Sequence, residues 1–186
     1  MSKHLIIKNK IFDKNYLATL TRRAKSSERL RQHDNIHASF QEPVQRLFNA
    51  IEPYSYIRPH RHWSDKRSEL LVAVNGAMAL VLFNHDGTIA TVHKLATQQY
   101  GASTLAAVEL SPSTWHTIVA LVPGCVLLEV KAGPFDPYQA KDLASWAPPE
   151  DDHSAVLQYQ SLLERQISME LKTTVKLGNL TATSEN

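Results

Sequence analysis

Apolar residues in the middle of the chain come in short runs of strand length, each closed by a turn signal, and not at the spacing of a helix face. Ser68 to Val74 is a near-continuous apolar run with the length and composition of a buried strand. Asn75-Gly76 follows, and this dipeptide predicts a tight hairpin, because a type I′ turn needs positive φ at both central positions. Ala77 to Phe83 reads as the return strand, Asn84-His85-Asp86-Gly87 as a second turn, and Thr88 to Leu95 as a third strand, with Ile89, Val92 and Leu95 only partly in phase. Past a less regular stretch, Ala96 to Thr104, come Leu105 to Leu110, the turn Ser111-Pro112-Ser113, Trp115 to Val122, the turn Pro123-Gly124, and Cys125 to Lys131. Roughly seven or eight short strands, read as an antiparallel meander with no long helix among them, predict a mainly β small barrel or jelly roll.

The flanks carry a different period. Asp13 to Leu30 has helical placement of Leu17, Leu20 and Ala24. Pro43 to Ile51 reads as a second helix, with Pro43 suited to a first helical position, Val44, Leu47, Phe48 and Ile51 on one stripe, and Pro53 as the stop. The polar link between them holds His33 and His37, read as loop histidines. After Pro148-Pro149, Ser154 to Met169 has an amphipathic pattern through Val156, Tyr159, Leu163 and Ile167, and Asp151 and Asp152 suit a helix N-terminus. Residues from about Leu171 read as loosely ordered. The expected division is a helical arm over 1–52, a β-barrel over 53–135 and a C-terminal extension over 136–186, all in one structural domain.

Chemistry enters at His60-Arg61-His62. Imidazoles two apart on a strand project to one face, so both can reach one point. Glu69 shares its strand face with Leu71 and Ala73, and His116, after Trp115, shares its face with Ile118 and Ala120. Both lie on apolar, inward-looking faces, where a carboxylate without a cation is expensive. Three nitrogens and one oxygen suit a divalent transition metal such as Zn, Fe, Mn or Ni. Asp65, in the intervening turn, is the rival oxygen donor. Counting back by alternation puts Tyr56 and Arg58 on the face of His60 and His62, as candidates to orient a substrate, with Lys66 or Arg67 near the entrance. Arg58 could clamp a carboxylate or phosphate in bidentate fashion. Tyr54, Trp63 and Trp115 read as packing residues.

The order His-x-His, Glu, then Gly76, then a Pro-containing turn ending in Trp-His, resembles the two motifs of the cupins. The resemblance implies a double-stranded β-helix, that is, a jelly-roll barrel, with helical extensions at both ends, and assigns His60, His62, Glu69 and His116 as metal ligands. The six residues between His62 and Glu69 are more than is usual in cupins, and Ser113 stands where the second motif ordinarily has glycine. The stretches Glu42 to Pro53, Arg58-Pro59-His60-Arg61-His62 and Ala132-Gly133-Pro134-Phe135-Asp136-Pro137 are similar to the WbuC family of cupin-fold metalloproteins, longer spacing included. That likeness spans about residues 20 to 150. It implies a setting in lipopolysaccharide O-antigen or other surface-polysaccharide biosynthesis, without naming a reaction.

Composition narrows the partners. Twenty basic against eighteen acidic residues leave a net charge of +2, too little to argue for nucleic acid. The cluster Arg22, Arg23, Lys25, Arg29 and Arg31 reads as a solvated helix face, with an anion-docking surface as the minority reading. Met1 to Phe12 lacks the apolar core of a signal peptide, and no stretch reaches the length of a membrane span. These features predict a cytoplasmic protein with no membrane partner, and the lone Cys125 reads as a small core residue. Leu70, Val72 and Val74, opposite Glu69, need cover from a second layer, and a homodimer is one way to supply it. The leading expectation is a metal-dependent enzyme acting on a small polar metabolite, anionic or sugar-like. Fe(II) oxygenase chemistry and a non-catalytic, metal-stapled binding module are the alternatives.

Overall fold

The computed structural model describes residues 9–101, 104–138 and 141–182, with the backbone alone for 173–182. Met1 to Lys8, most of the segment read for a leader, and the last four residues lie outside the described residues. In chain order the elements are α1 (Lys14–Lys25), β1 (Arg31–Asn35), β2 (Val44–Ile51), β3 (His60–Arg61), β4 (Glu69–Asn75), β5 (Ala77–Phe83), β6 (Ile89–Ala96), β7 (Ala107–Leu110), β8 (Trp115–Ala120), β9 (Cys125–Ala132), β10 (Asp142–Leu143) and α2 (His153–Ala182).

The strands form two antiparallel five-stranded sheets, ordered β1-β2-β9-β4-β7 and β10-β3-β8-β5-β6. This is a double-sheet jelly roll, and it corrects the meander. Asn75-Gly76 is not a hairpin, because β4 and β5 belong to different sheets, and Gly76 takes φ +85° while Asn75 is not among the residues with positive φ. Glycine is required at 76 for a further reason. A Cβ there would lie 2.7 Å from Cys125 Sγ, where the chain passes from one sheet to the other. The Ser111–Ser113 and Pro123-Gly124 turns also cross between sheets, whereas the turn at Asn84–Gly87 does join a paired hairpin, β5 with β6.

Between the sheets lies a core of Ile51, Leu71, Met78, Leu80, Leu95, Leu110, Ile118 and Leu127, with Cys125 fully buried among them. α1 covers the outside of the first sheet, setting Leu20 and Ala24 on Phe48, Ala50 and Val126 and reaching Val74 and Leu128. Leu70 stays 36% exposed beyond its edge. α1 starts where Asp13 accepts a hydrogen bond from the Tyr16 amide and stops at Ser26, short of Leu30, whose φ of +52° turns the chain. α2 covers the second sheet through Leu163 and Ile167, which pack on Ala79, Val81, Phe83 and Val92. It runs to Ala182, past the expected loose tail, since no proline follows Pro149 to end it.

Pro43 to Ile51 is corrected from helix to strand. β2 lies between β1 and β9, with Phe48 and Ala50 under α1 on one side and Ile51 in the core on the other. Burial on both faces erases the alternation that marks a half-buried strand. The polar link is likewise β1 over Arg31–Asn35, so this part of the expected helical arm supplies two strands, 31–35 and 44–51, to the first sheet.

Candidate metal centre

β3 is two residues long, yet its place between β10 and β8 sets the site, because it pairs His60 directly opposite His116. His62 follows, held by its amide to Pro112 O at 2.9 Å. Glu69 opens β4 in the facing sheet and points inward, as Leu71 does. One potential ligand atom from each of His60, His62, Glu69 and His116 lies within 4.8 Å of all the others, and all four residues are buried. His62 Nε2 stands 3.0 Å and His116 Nε2 3.5 Å from Glu69 Oε2. Arg61, between the two histidines, turns the other way and lies over the Trp63 and Trp115 rings.

The imidazoles are held from behind. His60 Nδ1 donates to Arg58 O at 3.0 Å and His116 Nδ1 to Thr114 O at 2.9 Å, which turns the Nε2 of each ring toward the cluster. His62 differs. Lys131 Nζ, 2.7 Å from its Nδ1, is paired with Asp65, and an ammonium can only donate, so the His62 proton sits on Nε2 and faces Glu69. Coordination through that nitrogen would need the proton moved to Nδ1 and Lys131 turned away from it. Burial pushes the Glu69 carboxyl up, but the His116 and His62 imidazoles outweigh it and hold the group well below the usual carboxylate range. Burial, then the charge of Lys141, holds the His60 imidazole well below its ordinary value, so it stands neutral and ready to coordinate. An ionised carboxylate among imidazole nitrogens is the donor set that suits a divalent transition metal.

Asp65 is excluded from the cluster by its ion pair with Lys131, which leaves Glu69 as the oxygen donor. Arg58 lines the cavity above the cluster, anchored by Nε and Nη2 to Ala144 O at 3.1 and 2.6 Å. Tyr56 does not reach it. Its hydroxyl donates to Pro148 O at 2.8 Å and its ring packs against Tyr159 of α2. The alternation used to place it fails because residues 52–59 are not strand. Tyr54 and Trp63 are exposed at 72% and 54% and cover little core. Of the basic cluster, Arg31 is buried against Glu150 at 2.8 Å and Arg29 also meets Glu150, so these two frame the cavity.

Several residues of the site were not singled out beforehand. Glu129 on β9 faces inward and accepts from Asn49 Nδ2 at 2.8 Å. Burial raises its carboxyl pKa, and the nearby Glu69 charge raises it further. His33 and Lys141 line the same space. The signal for Glu129 was legible, since it is the one acidic residue in the Cys125 to Lys131 run and has the inward parity of Leu127. Two cavities flank the cluster. One, of about 160 Å³, is walled by His60, His116, Arg31 and Arg58, and the other, of about 350 Å³, by His62, Phe40 and Leu47. Both include Glu69, Glu129, His33 and Lys141 in their walls.

Fold and site together define a class: a double-sheet jelly roll with a buried three-histidine, one-glutamate cluster between its sheets. Residues 12–95 match a family model described as a domain of unknown function, DUF6016. Nothing among the curated proteins matches the chain. Among solved structures it is similar to KdgF from Halomonas sp., with 16% identity, a TM-score of 0.45, and coverage of 58% of this chain and 84% of that one. It is also similar to a cupin 2 domain-containing protein from Halorhodospira halophila, with 19% identity, a TM-score of 0.43, and coverage of 72% and 78%. An RmlC-like cupin protein from Desulfovibrio desulfuricans gives 15% identity, a TM-score of 0.40, and coverage of 71% and 96%.

Proposed function

We propose that this protein is a metal-dependent enzyme acting on a small anionic metabolite that chelates through neighbouring oxygens. The observation that carries the reading is the convergence of four buried donors from both sheets beside a cavity rimmed by arginines. A divalent ion bound there supplies Lewis-acid polarisation of a ligand oxygen. The protein's own groups do the rest. Arg58, fixed by the Ala144 carbonyl, and Lys141 supply positive charge for an anionic head. Glu129, with its pKa raised, is an acid or base within the same walls. The likeness of the 42–53, 58–62 and 132–137 segments to the WbuC family supports a sugar-related setting for the substrate.

Metal analysis of untagged protein tests the reading. About one divalent ion per chain is expected, lost in His60→Ala and in His116→Ala. Wild-type protein that takes up no stoichiometric metal after reconstitution would overturn it. One observation favours a second reading: the donors come from β3 and β8 of one sheet and β4 of the other, so an ion held there also ties the sheets together. Stripping the metal separates the two. Unfolding at ambient temperature supports the staple, and a fold that survives supports chemistry.

A further inference from the structure

The two cavities are chemically unlike. The smaller mixes charged and apolar walls about evenly, setting Arg31, Arg58, Lys141 and Glu129 among Ile57, Ile118 and Leu127. The larger is lined mostly by apolar surface, with Leu47, Phe40 and Phe135 in its wall and the rings of the two phenylalanines 5.1 Å apart. The ionic groups that belong to this cavity alone are engaged: Asp65 pairs with Lys131, and Arg67 donates to the carbonyls of Ala132 and Pro134, while Lys141, Glu69 and Glu129 stand in the wall shared with the smaller cavity. An uncharged apolar body would only displace water.

The metal cluster belongs to both walls, through His60 and His116 on the polar side, His62 on the apolar side and Glu69 on both.

The geometry points to an amphipathic hydroxy acid as the ligand: a chelating carboxylate head in the cavity rimmed by Arg31 and Arg58, and an apolar body across the cluster into the larger cavity. This rests on the metal-centre reading and goes beyond it, because a plain sugar acid has no apolar body to fill the second cavity.

Titration calorimetry on protein reconstituted with Zn(II) tests it, with para-hydroxyphenyllactate, lactate and gluconate as probes and metal content measured on the same samples. The aryl acid should bind at least about tenfold more tightly than lactate or gluconate, the scale expected for burying one ring. Leu47→Glu, which puts a carboxylate inside the apolar cavity, should erase that preference. Phe40→Ala, at a half-exposed position that puts the fold at little risk, should weaken the aryl acid alone. Equal affinity for the three acids on metal-loaded protein overturns the inference and leaves the metal centre standing. Absence of bound metal removes both.

Discussion

The jelly-roll interior is apolar at one end and polar at the other, and the same strands build both. β9 turns Cys125 and Leu127 inward at one end and Glu129 and Lys131 at the other. β8 carries Ile118 and Ala120 in the core and His116 in the cluster, and β4 carries Leu71 and then Glu69. At the apolar end Met78, Leu80 and Leu95 have no exposed surface. At the polar end two carboxylates lie near each other among imidazoles, with cavities on either side. The contrast separates two jobs. Burial of apolar area holds the sandwich together, while the polar end keeps groups whose desolvation works against folding, as binding sites generally do.

If that division is right, the largest effect on folding comes from the apolar end. Leu127→Ala removes a side chain that is 1% exposed and should lower stability by about 2 to 5 kcal/mol, read from the urea midpoint, with metal stoichiometry intact while the protein stays folded. A loss under about 1 kcal/mol would mean that the core relaxes into the gap and that the two ends differ less than their residues suggest. Glu69→Gln strikes the other end. It removes the one carboxylate of the cluster, so affinity for a divalent ion should fall by at least the roughly 10–100-fold typical of losing an outer-shell partner, measured by competition with a chromophoric chelator. Because the folded protein holds the Glu69 carboxyl below its usual range, the ionised group favours the native state at neutral pH, so metal-free urea stability should fall as well. Undiminished metal affinity would return the oxygen-donor role to Asp65.

The same division decides what could be read from the sequence. Ala77 to Phe83 is observed with the expected bounds, because seven apolar residues between Gly76 and Asn84 leave only one element of that length. The four cluster residues were legible for a related reason: on strands with apolar neighbours, parity fixes which way each side chain points. Parity gave no help where its premise failed. Tyr56 was counted along a strand that does not exist, and β2, buried on both faces, offered no alternation. Nor could local pattern reveal that Asn75-Gly76 passes from one sheet to the other, since β4 finds its partners in β7 and β9, far along the chain.

Glu129 gives the finest test of the contrast, because it separates burial from metal binding. Its folded pKa lies above the ordinary value of 4.5, raised first by burial and then by Glu69. Between the unfolded and folded pKa values the native protein therefore holds more protons than the unfolded chain, so this group's contribution to stability falls as pH rises through that interval. The amide introduced by Glu129→Gln cannot titrate and keeps a carbonyl oxygen to accept from Asn49. In metal-free protein, Glu129→Gln and wild type should be nearly equal in stability below pH of about 4. The variant should gain as pH rises and be ahead by about 1 kcal/mol at neutral pH, the scale for relieving a partly solvated buried charge. Parallel stability curves for the two proteins, or a variant weaker at neutral pH, would show that Glu129 is a structural partner of Asn49 and that the polar end carries less opposition to folding than its buried carboxylates imply.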